Sequence, residues 1–115
     1  MKAFLICPVR KAESETQSLA AYVVERWEVA GHKVHWPPRD TNQIDETGLR
    51  ICQDNRTAIQ EADLILVIWD GKSQGCLFDL GIAFALRKAI YSIDLPPETE
   101  GKSFQNMIRA WEGDR

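Results

Sequence analysis

The chain of 115 residues is predicted to be an α/β domain built on a parallel sheet. Three observations predict this. Ala3–Cys7 and Leu64–Trp69 are continuous apolar runs, as strands covered on both faces must be. Strand-like and helix-like segments follow one another in strict alternation, the pattern of right-handed βαβ units. The length suits one domain, residues 1–115, with a modest core that needs no staples.

Each element has its own justification. Ala3–Cys7 reads as the first strand. Leu19, Tyr22, Val23, Trp27 and Ala30 then recur at helical spacing, and Gly31 is a natural stop. Lys33–Trp36 is the second strand. A second helix is expected from about Leu49 to Ala62, followed by Leu64–Trp69, the strongest strand. The third helix, about Cys76 to Arg87, is apolar almost all round and is expected to be deeply packed. Ala89–Ile93 is the fourth strand, and a last short helix holds Phe104 to Trp111.

Composition excludes several classes. With 14 Lys and Arg against 17 Asp and Glu, the net charge of −3 offers no general attraction for a nucleic acid polymer. No apolar run is long enough to span a membrane, and the N-terminus has no cleavable-signal pattern. Cys7, Cys52 and Cys76 are odd in number and lack CxxC pairing, which argues against a disulfide framework or a zinc site. They read as small core residues of a cytoplasmic protein without metal or cofactor. The exposed helices and the C-terminal Phe104, Met107, Ile108 and Trp111 carry more apolar surface than one small domain needs, so a homodimer is expected.

Parallel sheets bind ligands beyond the carboxyl ends of their strands, here Pro8–Arg10, Trp36–Asp40 and Asp70–Gly75. Strand three ends at Asp70-Gly71, and Ser73 and Gly75 stand where a helix opens. A hydroxyl and a glycine at a helix N-terminus suit a phosphate; the equal alternative is that Ser73 only caps the helix. Asp79 is a carboxylate inside an apolar helix. It either complements the helix dipole or acts as a nucleophile or base on a pocket floor. Asn55 shares a helix face with Ile51 and Ile59, so it points inward, either to backbone partners or to a carboxylate. Arg10 can clamp an anion or be a plain surface arginine. Trp36 is a stacking wall for a base or a core residue. His32 and His35 lack metal-ligand partners and read as structural or solvent-facing.

These residues resemble a known family. Gly-Cys-Leu-Phe-Asp-Leu-Gly, residues 75 to 81, is similar to the Gly-x-x-x-Glu-x-Gly segment of the nucleoside 2-deoxyribosyltransferase superfamily. Asp54 to Asp63, followed by an apolar strand, is similar to its helix and third strand. Ser73-x-Gly75 and Asn106-Met107-Ile108-Arg109 look closer to its deoxynucleoside 5′-monophosphate N-glycosidase branch. The resemblance implies a Rossmann-like, flavodoxin-type three-layer sandwich with a parallel sheet of four to five strands. It implies cleavage of a nucleoside or nucleotide N-glycosidic bond by a carboxylate nucleophile, in the manner of retaining glycosidases. The nucleophile falls on Asp79 and its partner carboxylate on Asn55. Phosphate and sugar contacts fall on Pro8, Val9, Arg10 and Ser73, and the segment with Met107 would close the other subunit's pocket in a dimer. Two positions depart from the family. Asp79 stands for Glu, which retreats the attacking oxygen by roughly an ångström, a misplacement that can cost about 10²-fold. Asn55 stands for an acid and cannot exchange a proton.

Overall fold

The computed structural model describes residues 1–114. Four strands, β1 (Lys2–Ile6), β2 (Lys33–His35), β3 (Leu64–Ile68) and β4 (Ile90–Asp94), form one sheet in the order β2-β1-β3-β4, and every pairing is parallel. The helices are α1 (Ser14–Val29), α2 (Pro37–Asp40), α3 (Leu49–Glu61), α4 (Gln74–Ala85) and α5 (Phe104–Gly113). The arrangement is the flavodoxin-like three-layer fold, with four strands.

Local chemistry sets the boundaries. β2 stops at His35 because Pro37 and Pro38 follow; proline has no N–H for the ladder but suits a first helical position, and the short α2 starts there. Ser73 and Ser103 cap α4 and α5, accepting from Cys76 N at 3.3 Å and Asn106 N at 3.1 Å. At the sheet's β4 edge, the Glu112 carboxylate of α5 accepts the outward N–H of Ser92.

The sheet is covered unequally. Phe4, Ile6, Ile65, Val67 and Ile90 meet α3, α4 and α5 through Ile59, Leu80, Ala83 and Ile108. The opposite face, with Ala3, Leu5, Leu66 and Ile68, meets α1 through Ala20, Val23 and Val24. Residues of β1 and β3 are buried on both faces, which explains their unbroken apolar runs.

Two expectations need correction. α4 is not deeply packed all round: Phe78 and Phe84 are 57% and 59% exposed, with no described residue covering the outer side of α4. In α5, Ile108 is fully buried on the sheet and Trp111 packs edge-on against Phe84, so only Phe104 and Met107 keep much apolar exposure.

Candidate active site

The strand order creates the site. From β1 the chain moves outward to β2, then returns across β1 to β3. α1 leaves on one face and α3 arrives on the other, so a crevice opens beyond the carboxyl ends of β1 and β3, where ligands bind in such sheets. The residues there are Cys7–Arg10 and Trp69–Gly75.

Asp79 stands on α4 beside this crevice. α4 begins at Gln74, two residues before the sequence suggested, so Asp79 lies in the second turn rather than the first. The helix dipole fades over that distance, and burial dominates. The carboxyl is half-buried, and burial pushes it from 3.8 up to about 7. Among the described residues it has no ion pair and no hydrogen-bond donor to favour its charge. Its charge reaches the thiols of Cys7, Cys52 and Cys76, from β1's end, α3 and α4 itself. Those thiols are held protonated, mainly by burial, with Cys7 and Cys76 at about 12.

Asn55 is buried, 6% exposed, on the inward face of α3 with Ile59. It does not reach Asp79. Its Oδ1 accepts from the hydroxyl of Thr41 at 2.8 Å, and Thr41 Oγ1 lies 2.8 Å from His35 Nε2. The sequence left His35 as structural or solvent-facing and passed over Thr41. Nothing in the local pattern marks Thr41, because the contact spans fourteen residues and depends on the turn after α2.

The turn after β3 satisfies itself. Asp70 Oδ1 accepts from Lys72 N and Ser73 N, both at 2.8 Å, and Ser73 Oγ is engaged as the cap. Gln74 and Gly75 keep N–H groups without partners among the described residues, so the first turn of α4 retains two donors for an anion. Gly71 has φ +80 and packs against Pro96, which ties this turn to the loop before α5. A Cβ at Gly75 would meet only Ser73 Oγ at 3.9 Å, leaving the backbone open to a ligand.

The remaining positions divide. Pro8 is buried, Val9 half-buried, and Arg10 is exposed without an ion pair among the described residues. Trp36 packs against the α1-side core; its Nε1 is buried without a hydrogen bond, beside the Cys7 thiol. Met107 is 39% exposed on α5. Asn106 anchors the loop before α5: Oδ1 accepts from Thr99 N, and Nδ2 donates to Thr99 O and Gly101 O, which uses both its hydrogens. A hollow of about 450 Å³ at the amino ends of β1 and β2 is lined by Lys2, His32, Lys33 and Arg39, away from Asp79. No group of three or more metal-ligating side chains occurs among the described residues, and no helix there is long and apolar enough to cross a membrane.

A doubly wound parallel sheet, with a lone carboxylate beside its switch point, defines a class of small-ligand α/β proteins. Within it, the chain belongs to the nucleoside 2-deoxyribosyltransferase family, whose model matches residues 4–107. A search of curated proteins returned no match. Among solved structures, a Clostridium botulinum CMP N-glycosidase is 18% identical with a TM-score of 0.65, over 98% of this chain and 81% of its own. A 2-deoxyribosyltransferase from Bacillus psychrosaccharolyticus is 18% identical with a TM-score of 0.71, over 88% of this chain and 77% of its own. A conserved protein from Enterococcus faecalis is 15% identical with a TM-score of 0.67, over 95% of this chain and 72% of its own. At such identities the likeness is one of fold.

Proposed function

We propose that this chain cleaves the N-glycosidic bond of a small nucleoside or nucleotide, with Asp79 as the nucleophile. The observation that carries the reading is the Asp79 carboxylate itself, half-buried, free of partners and set beside the crevice at the β1–β3 switch point. Burying a carboxylate without compensation is costly, so its retention there calls for a role. Family membership supplies the class of chemistry.

In the proposed step Asp79 Oδ attacks the anomeric carbon. The carbon–nitrogen bond breaks with its electron pair going to the base, and a glycosyl-aspartate forms. Water, or an acceptor base, then resolves it. Arg10 and the free N–H groups of Gln74 and Gly75 favour an anionic substituent on the sugar, and the Trp36 ring borders the base. The protein acts as a cytoplasmic homodimer, a reading supported by its free thiols and by the apolar outer face of α4 and α5.

Base release from a panel of nucleosides and nucleoside monophosphates, read by reversed-phase chromatography, tests the proposal. Release by the wild type and its loss in Asp79→Asn is the expected result. Nucleotide-dependent thermal stabilisation without release would show a binding module instead. The unsupported Asp79 charge is what favours that second outcome, since a carboxyl at about 7 is only partly ionised at neutral pH.

A further inference from the structure

Two polar residues stand out in the buried interior, Thr41 at 4% and Asn55 at 6% exposure, and they bond to each other. The direction of this contact has a consequence. Thr41 has one hydroxyl hydrogen, and it goes to Asn55 Oδ1. Thr41 Oγ1 must therefore accept from His35, which fixes the imidazole as a donor at Nε2. His35 is held in place by stacking on Phe4, with centroids 5.2 Å apart and planes 6° from parallel. A relay thus runs His35 Nε2–H to Thr41 Oγ1–H to Asn55 Oδ1, from β2 through the turn after α2 to α3.

The relay uses the oxygen end of the carboxamide. The other end, Asn55 Nδ2, carries two hydrogens and has no partner among the described residues. Asn55 lies on α3, which packs against α4, the helix that carries Asp79. Unlike Trp36 Nε1 and Ser92 Oγ, Asn55 Nδ2 is not sealed from solvent, so its two hydrogens stay open to an acceptor.

We infer that His35 and Thr41 are positioning residues that lock Asn55 with its NH₂ facing the cleft, so that the site selects a substrate presenting a neutral hydrogen-bond acceptor there. This rests on the proposed function and refines it. A carboxylate at position 55 would require a donor from the ligand; the locked carboxamide requires an acceptor, such as a base carbonyl, a ring nitrogen or a sugar oxygen. The amide cannot transfer a proton. It stabilises electron density that grows on its acceptor as the glycosidic bond breaks.

Imidazole ¹⁵N shifts of the whole protein report the His35 tautomer without any ligand. The Nε2–H tautomer is expected; an Nδ1–H tautomer would reverse the relay and overturn the inference. Thr41→Val keeps the shape and removes the relay, and should lower kcat/KM for base release roughly tenfold. Thr41→Ser should restore most of that loss, and Asn55→Asp should cost roughly 10²-fold. Unchanged kcat/KM in Thr41→Val sinks the inference while leaving the glycosidase reading intact. If the wild type binds nucleosides without releasing base, the glycosidase reading fails alone. The inference then stands only if the Asn55 side-chain NH₂ resonances, assigned by their loss in Asn55→Asp, shift on nucleoside binding. If no nucleoside or nucleotide binds at all, both are overturned.

Discussion

At the scale of the residue, Asp79 couples function to stability. Its carboxyl ordinarily titrates at 3.8 and is pushed up to about 7 in the fold by burial. Between those values the folded chain holds more protons than the unfolded one, so this group makes stability fall as pH rises, and the loss is complete above about 7. Asparagine carries no such penalty. Asp79→Asn should therefore be more stable than wild type by about 1–3 kcal/mol at pH 8, and the gain should vanish below pH 4. Urea unfolding at the two pH values measures it, and an equal effect at both would refute the assignment to burial. Activity runs the other way. The nucleophile must be ionised, so kcat/KM should climb through about pH 7 and level off beyond it. A profile flat from pH 6 to 8 would remove Asp79 from the nucleophile's role.

At the scale of the element, the turn between β3 and α4 offers two glycines with opposite expectations. Gly71 has φ +80, and an added Cβ would lie 3.1 Å from Pro96 Cγ. Gly71→Ala should lower stability by about 1–2 kcal/mol, seen as a fall in the denaturant midpoint. Gly75 has ordinary backbone angles and room for a methyl group, so Gly75→Ala should leave the midpoint unchanged within about 0.5 kcal/mol. If it also leaves base release untouched, no ligand approaches that backbone. The sequence alone separated these roles poorly, because both glycines sit in the same turn and only coordinates show what each would strike. Strands and helices were legible because β1 and β3 are buried on both faces and the helices repeat at their own period. Asp79 and Asn55 were legible as polar residues in apolar surroundings. The Thr41–His35 relay was not, because its bonds join residues that no local period relates. Ser73 was legible as the cap of α4, whereas the dipole offered as one reading of Asp79 is outweighed by burial, which only the packing reveals.

At the scale of the whole molecule, the chain exposes more surface than its mass requires. It presents 7531 Å² at 13.1 kDa, against about 6400 Å² for a typical monomer of that mass. Much of the outer face of α4 and α5 is aromatic or apolar: Phe78 is 57% exposed, Phe84 59%, Phe104 53% and Met107 39%. A soluble monomer rarely exposes so many large apolar side chains, and a two-fold dimer needs about 800 Å² per partner, less than the excess of roughly 1100 Å². The wild type should therefore run at twice its chain mass by light scattering at micromolar concentration. Phe78 is the residue to change, since it points outward and is absent from the packed core. Phe78→Glu should give a monomer whose folded spectrum is retained, because charge is placed where the partner sat rather than inside the chain. Met107 is the residue proposed to close the partner's pocket, so loss of the partner should also lower base release, and wild-type specific activity should fall on dilution below the dimer's Kd. A wild-type monomer at micromolar concentration, or a Phe78→Glu protein still dimeric, would place the interface elsewhere or abolish it.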